Sequence, residues 1–585
     1  MLHARGWHPS GSREQRQAFN QIQQAEELRI AVDAGARPDP SLPMSLSMAA
    51  EIFQELRWPE GARAAYAEAA GYYRRLDAVD PREYGSSLAF SLRELRSVLI
   101  DLHRYVDALP VVLEELETDQ RIEPHGDGPD TARYWLVEVL TRLGRHEDAV
   151  RAAADAVAAV RQWPSRRSGT PKSIALGAAL TVYAERLDRV GRFTEALAAT
   201  EEYTTLWRRR SKDDPIHYAR AEDELGRRLA AVGRYRDAAR HFERTVSIVR
   251  ALPPSRWNRR TLGAALTNYA TRLGPLGRHR EAEATGAEAV RIFREVVDAR
   301  RQEAAETEAA RVAFRSSDEY DGHLDWSYDA RDKEDRLRDA AEIRTVELHL
   351  CTAMVNHSVY LHRLRRLDEA YAAITEAIEL QRDRLPEADP RLASALNSLS
   401  QLLSDLDRPD EALAAAEESV ARYQGQATMD EAGLAMARNS LGVARLKVDR
   451  LDEALAVSIV ALDTYRRLAA DQPARFDGLL ADALTDHALI RSARGEHADA
   501  ATTTAESVGI FRRLAEQNPG RYEHECAHAL RVFAEVLLAA PDGARDEARA
   551  AAEEAVERYE RLAAELPEAY GPDLAQARTV HDGLR

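Results

Sequence analysis

The stretch LTNYATRLGPLGRHREAEATGAEAVRIF, residues 266–293, decides the fold of this chain of 585 residues. Its first half carries apolar and small residues at spacings of three and four, which places them on one face of an α-helix. A Gly-Arg pair then interrupts the pattern, and glycine is the residue that most readily ends a helix in the left-handed conformation. An acidic residue and Ala282 follow, where the next helix begins. The stretch therefore predicts two helices joined by a tight turn.

Copies of this turn recur along the chain, in forms such as LGRHEDA, VGRFTEA, LRRLDEA and VDRLDEA. Eleven turns are detectable, four of them weak, and each ends at an alanine: Ala62, Ala108, Ala149, Ala196, Ala238, Ala282, Ala370, Ala412, Ala454, Ala500 and Ala548. Neighbouring alanines are 41 to 48 residues apart, except for a gap of 88 after Ala282. Repetition at a fixed period of this length is typical of a solenoid. The small alanine suits a place where two helices cross closely.

The composition supports an all-α protein, because Ala, Leu, Arg and Glu dominate and aromatic residues make up only 6%. A net charge of −17 argues against a dedicated nucleic-acid binder and permits basic or neutral protein partners. Two distant cysteines exclude a disulfide scaffold. We find no apolar run of membrane-spanning length and no signal peptide, and we expect a cytoplasmic protein.

The pattern resembles the tetratricopeptide repeat: apolar and small residues on a first helix, a turn, an alanine, and a small residue further along the second helix, such as Ala289, Ser419 or Ala461. The longer period resembles the kinesin-light-chain-like subtype, and long arrays of this kind in high-GC bacteria. The resemblance covers roughly residues 44 to 570. It implies a right-handed superhelical solenoid of antiparallel helix pairs whose first helices line a concave groove.

We predict five segments. Residues 1–43 form an N-terminal helical cap, 44–297 an N-terminal repeat block, 346–570 a C-terminal repeat block and 571–585 a C-terminal cap. Residues 298–345 fill the gap of 88, and two alternatives stay open for them. One is a charged helical hairpin, with helices near 281–315 and 331–364 around a polar turn; the other is a degenerate repeat.

The resemblance also implies a position on each first helix, two residues before the small one, that faces the groove. These groove residues are Asn268, Asn356, Ser398, Ser440 and Asp486. An asparagine there can both donate to and accept from the backbone of an extended peptide. The alternative is that these side chains are merely solvated. Trp135 and Val182, at equivalent places, are apolar, so the groove is not uniform.

The segment HECAH places His524 and His528 one helical turn apart around Glu525, the spacing of a zinc hydrolase motif. It also overlays the repeat segment RFDGLLADAL, residues 475–484, which has no such ligands. No distinctive motif for a third ligand follows. We therefore expect no metal site, and keep these three residues as a weak candidate.

Three loops between repeats combine tryptophan with arginine, as RQWPSRR, LWRRRSK and SRWNRR. They could form a basic and aromatic edge that binds acidic groups. The alternative is that arginine complements the helix dipole and tryptophan packs between repeats. The residues concerned are Trp163, Trp207, Arg208, Trp257 and Arg259.

No phosphate-binding loop, dinucleotide motif or nucleophile elbow occurs, so we expect neither a cofactor nor an enzyme. The leading interpretation is a non-catalytic scaffold or adaptor for a protein or peptide partner. A second is a regulator whose superhelix changes when a peptide binds. A third, remote one is a zinc hydrolase based on HECAH. The sequence does not indicate an oligomeric state.

Overall fold

The computed structural model describes residues 20–21, 23–24, 41–164, 171–315, 326–385, 389–425, 430–540 and 544–584. Within these ranges all regular structure is helical, and the predicted all-α solenoid of antiparallel helix pairs is confirmed. Residues 20, 21, 23 and 24 are helical. Most of the predicted N-terminal cap lies outside the described residues.

The chain divides into two compact units, residues 1–210 and 211–585. The described helices of the first unit from residue 41 onward are α1 (Ser41–Glu55), α2 (Pro59–Asp77), α3 (Pro81–Asp101), α4 (Tyr105–Ile122), α5 (Asp127–Arg142), α6 (His146–Arg161), α7 (Lys172–Arg189) and α8 (Phe193–Arg208).

The second unit begins with α9 (Pro215–Ala231), α10 (Tyr235–Arg250), α11 (Arg256–Leu273), a short 3₁₀ helix (Gly274–Leu276), α12 (His279–Arg315) and α13 (Trp326–Arg363). It continues with α14 (Leu367–Arg384), α15 (Pro390–Asp405), α16 (Pro409–Gln424), α17 (Glu431–Lys447) and α18 (Leu451–Asp471). It ends with α19 (Pro473–Ala493), α20 (His497–Gln517), α21 (Pro519–Ala539), α22 (Arg545–Glu565) and α23 (Pro567–Asp582).

One left-handed residue follows the first helix in ten of the described pairs, in each case five positions before the turn alanine. Five of these residues are glycines, with φ between 72° and 83°: Gly144, Gly191, Gly233, Gly277 and Gly495. Five are not, with φ between 53° and 60°: Arg57, His103, Arg365, Asp407 and Asp449. Non-glycine residues adopt this conformation at a cost. The register of the turn therefore holds even where the sequence lacks glycine.

The turn alanines lie where the two helices of a pair meet, and all those in the described residues are 0 or 1% exposed. Ala412, at the start of α16, packs with Leu403 of α15. Its carbonyl also accepts a hydrogen bond of 2.8 Å from the Ser400 hydroxyl of α15. A helix pair this close leaves no room for a larger side chain.

Two helices of unusual length occupy the gap of 88 residues. Helices α12 and α13 have 37 and 38 residues and pack against each other, whereas the other α-helices from residue 41 onward have 15 to 21. Their array ends are apolar, with Phe293 and Met354 buried. Charged pairs such as Arg301 with Glu347, 2.6 Å apart, and Arg336 with Glu308, 3.2 Å apart, join them further out. Neither helix breaks where a further repeat would need a turn, and the segment 316–325 between them lies outside the described residues.

We expect Ala412→Leu to lower the free energy of unfolding by about 1–3 kcal/mol, because the added carbons must displace Leu403 or separate α15 from α16. Urea unfolding monitored by circular dichroism measures the loss. Ala414→Leu, two residues along the same helix but exposed, is the matched control and should change stability by less than about 0.5 kcal/mol. Equal losses in the two variants would contradict the close-packing role of the turn alanine.

Candidate binding groove

A cavity of about 420 Å³ opens on the concave side of the second unit. Most of its lining comes from six helices, α13, α15, α17, α19, α21 and α23, each the first helix of its pair where a second follows, and the second helices α14 and α18 add Ile374 and Tyr465. Its volume falls within the range of about 300–1,000 Å³ that is usual for ligand pockets. The cavity is therefore the concave groove of six successive repeats, drawn together around one space.

Three of the predicted groove residues, Ser398, Ser440 and Asp486, line this cavity. Asp486 accepts a hydrogen bond of 2.6 Å from the Asn439 side chain, and Ser440 accepts one of 3.2 Å from Gln401. Asn268 and Asn356 are half-buried and lie outside the lining. The Asn268 amide donates instead to Asp223, 2.9 Å away on α9.

Asp482 lies one helical turn before Asp486 and is the most distinctive side chain of the groove. It is exposed to the water of the cavity, yet protein surrounds it, and this burial together with the charges of Glu525 and Asp486 raises its pKa well above the usual range. Burial also raises the pKa of Asp486 to about 6, against the hydrogen bond from Asn439. None of the described residues forms an ion pair or hydrogen bond with the Asp482 carboxylate. The charges of Arg363 and Arg521 lower this pKa, but by less than burial and the two carboxylates raise it. The groove thus holds an acidic group without a close ion-pair partner among the described residues.

The remaining charges of the lining are paired across the groove. Arg365 contacts both Asp405 at 3.0 Å and Asp573 at 3.4 Å, and His362 lies 2.8 Å from Asp405. Arg363 lies 3.5 Å from Glu525. The lining contains five carboxylates and two guanidinium groups: Asp405, Asp482, Asp486, Glu525 and Asp573 against Arg363 and Arg365. The lining therefore contains more acidic than basic side chains, and Asp482 is one of the acidic ones.

The three HECAH residues also line this cavity, but each has a protein neighbour. His524 lies 3.6 Å from Asp573, and its ring packs against Tyr559 and Tyr570. Glu525 faces Arg363, and His528 lies 3.2 Å from Arg531. Burial lowers the pKa of His528 to about 3. Among the described residues, no group of three or more His, Cys, Asp or Glu side chains has a geometry that could hold a metal ion.

The residues of the predicted basic and aromatic edge lie in different environments. Trp163 and Trp207 are only 4 and 5% exposed, and the Trp207 ring packs over Gly177. Trp257 is 54% exposed, with the guanidinium groups of Arg220 and Arg260 within 6 Å of its ring centre. Arg259 pairs with Glu295 at 3.1 Å. Trp163 and Trp207 are thus buried, which agrees with the alternative in which tryptophan packs between repeats. Arg208 lies at the end of α8 and interacts with the protein.

Sequence reasoning missed Asp482, Asp405, Asp573 and the two arginines of the lining. One signal was available for Asp482, which precedes the predicted groove residue Asp486 by four positions and so shares its helix face. No local signal marks Asp573 or Arg365, because they meet only after several repeats have turned the chain back on itself.

Comparison with protein families supports this architecture. Residues 349–425, which include Asn356 and Ser398, match the family model described as tetratricopeptide repeat. Residues 230–307 match the model of anaphase-promoting complex subunit 5. The bacterial subtype of the resemblance stays a prediction.

Several solved structures resemble the chain at low identity. BtubC (BKLC) from P. vanneervenii is 18% identical, with 48% of this chain and 92% of that one covered and a TM-score of 0.34. A Rap protein complexed with Competence and Sporulation Factor is 12% identical, with 78% and 99% covered and a TM-score of 0.40. Cut9-Hcn1 of the APC/C is 14% identical, with 85% and 94% covered and a TM-score of 0.32. Likeness at this level assigns no function to the chain.

No curated protein matches the sequence. In the described part of the chain, the helices are all too short or too polar to cross a membrane.

Beside the groove, His279 begins α12 and is 7% exposed. Burial and the charge of Arg363 lower its pKa from 6.5 to about 4. Because the pKa of His279 is lower in the folded chain than in the unfolded chain, the unfolded chain binds the proton more readily. The free energy of unfolding is therefore highest above about pH 6.5 and falls as the pH drops towards 4. His279→Gln should remove this loss, which amounts to about 2 kcal/mol at pH 5. Urea unfolding between pH 7 and 5 measures it.

His146→Gln is the control, because His146 is exposed. This variant should keep the pH dependence of the wild type. If His279→Gln were to lose stability on acidification as steeply as the wild type, the buried imidazole would not be the source.

Proposed function

We propose that this chain is a non-catalytic scaffold that binds a protein or peptide partner in the groove of its second unit. The observation that carries the proposal is the cavity itself, in which six successive first helices converge and present polar side chains to one space. A helix pair of the array needs only its neighbours for stability, so its concave face is free for recognition.

The chemistry of the lining favours recognition over catalysis. His528 is held neutral by burial, and Glu525 faces Arg363 rather than a free position where it could accept a proton. The side chains that remain available, such as Asp482 and Ser398, are hydrogen-bonding and charged groups suited to a peptide backbone or a basic side chain. The partner we propose is therefore a protein or peptide, with neither nucleic acid nor a cofactor involved.

Asp482→Lys should abolish or weaken partner binding by about tenfold or more, because it removes the acidic group that lacks an ion-pair partner and fills the groove with a long side chain. Circular dichroism checks that the variant remains folded, since the introduced ammonium lies near Asp486 and Glu525 but also near Arg363 and Arg521. Affinity capture with the full-length chain from lysate of the source organism identifies the partner, and calorimetry with the purified partner gives the affinity.

Asp463→Lys is the matched control, an exposed aspartate on α18, the second helix of a pair. It makes the same change of charge outside the groove and should bind as the wild type does. If the two variants bind the purified partner equally well, the groove is not the binding site. If no protein is captured reproducibly, the scaffold proposal itself fails.

A further inference from the structure

The second unit closes on itself through a contact between residues more than 240 positions apart. The turn that follows α11 meets the first turn of α21, and the two backbones approach so closely that neither position has room for a methyl group. A Cβ atom on Gly277 would lie 2.6 Å from the carbonyl oxygen of Gly520. One on Gly520 would lie 2.7 Å from the carbonyl oxygen of Leu276. Two glycines at one point permit the approach.

Polar contacts surround the two glycines. The Asn518 amide donates to the carbonyl of Pro275 at 3.3 Å, and the Arg521 guanidinium lies 5.2 Å from the centre of the Tyr235 ring. Deeper in the groove, Arg363 at the end of α13 pairs with Glu525 of α21, and Arg365 in the turn after α13 pairs with Asp573 of α23. We call the contact of residues 275–277 with 518–521 the closing contact. It joins the turn between α11 and α12 to the first turn of α21, one of the helices that line the cavity.

The closing contact differs in kind from the interfaces between neighbouring helices. Sequential helices in this region share large apolar clusters, such as the one that joins Phe511, Leu530 and Tyr559 across α20, α21 and α22. The closing contact instead consists of backbone, one amide and one stacked arginine, and the long charged pairs beside it in the groove are contacts that water and salt weaken. The stability of a solenoid is the sum of its neighbour interfaces. The contact can therefore open while every helix pair stays folded.

We propose that the closing contact is a reversible latch, which holds the second unit as a closed ring around the cavity and opens to admit the partner from the side. The role of the partner rests on the function proposed above, whereas the opening itself does not. Gly520 is the position that controls the latch. A side chain there would block closure, and it would leave α21, the helix to which Gly520 belongs, undisturbed.

Gly520→Ala tests this selectively. Gly520 is the second residue of α21, its φ is not positive, and the nearest atoms to an added Cβ belong to Leu276 and Gly277 across the contact. Alanine is also the better helix former. Spin labels on cysteines introduced at Arg278 and Glu516, exposed residues on either side of the contact, report its width by pulsed electron paramagnetic resonance. Both native cysteines are buried and should escape labelling.

We expect the wild type to show one dominant short distance and Gly520→Ala to shift most molecules to longer distances. Raising the salt to about 1 M should shift the wild type in the same direction, because the Debye length falls to about 3 Å. Arg521→Ala, which removes the stacked guanidinium, should give a smaller shift of the same sign. Gly509→Ala is the control, a helical glycine with open space around it, and should match the wild type.

If Gly520→Ala and Arg521→Ala both keep the distances of the wild type, the latch is overturned. Labelling of Cys351 or Cys526 would reveal a variant that has unfolded, in which case Arg521→Ala and the salt series decide. Loss of binding in Asp482→Lys with unchanged distances in Gly520→Ala would remove the latch and leave the proposed function. Longer distances in Gly520→Ala with unimpaired binding in Asp482→Lys would remove the groove function and leave the latch.

Discussion

A single backbone constraint underlies the structure: in ten turns the chain enters the left-handed conformation five residues before the turn alanine. That residue ends the first helix and reverses the chain so that the alanine falls on the crossing of the two helices. Where the residue is Gly277 or Gly495, the conformation costs little. Where it is Arg365 or Asp449, the packing of the helix pair must outweigh the backbone strain. The turn is thus imposed by the pair, and glycine only makes it easier.

Because this constraint acts within a single helix pair, much of the fold could be predicted from the sequence. Helix pairs, turn positions and the buried alanines depend on residues within one repeat, and the spacing of Leu266, Ala270 and Ala282 contains that information. The long helices α12 and α13 were also foreseeable in outline, because no helix breaker occurs between Gly286 and Ser316. Whether that segment formed a hairpin or a repeat depended on packing between distant residues such as Arg301 and Glu347, which no local pattern reports.

The groove could be predicted only in part, for the same reason. Position within the repeat correctly brings Ser398, Ser440 and Asp486 to the cavity, since the same face of each first helix turns inward. It does not show that Asn268 is bound to Asp223, nor that Asp573 reaches Arg365. Such contacts depend on the rotation accumulated over several repeats. A small error in the rotation assigned to each repeat would add up along the second unit and would move distant residues such as Asp573 and Arg365 apart by more than a hydrogen-bond length.

The acidic side chains that line the cavity cost free energy, and packing alone does not explain why they are gathered there. A chain selected only for stability would have little reason to gather Asp482, Asp486 and Glu525 around one space, because burial and mutual repulsion raise the free energy of the ionised forms. The raised pKa of Asp482 reflects this free-energy cost of ionisation. Replacing a carboxylate by an amide at such a place would relieve it while keeping the size of the side chain. The cost is offset when a cationic group enters, since the ion pair then forms in a space that protein already shields from bulk water. The proposed recognition of a cationic group would thus account for an acidic side chain at Asp482 that the stability of the array does not require.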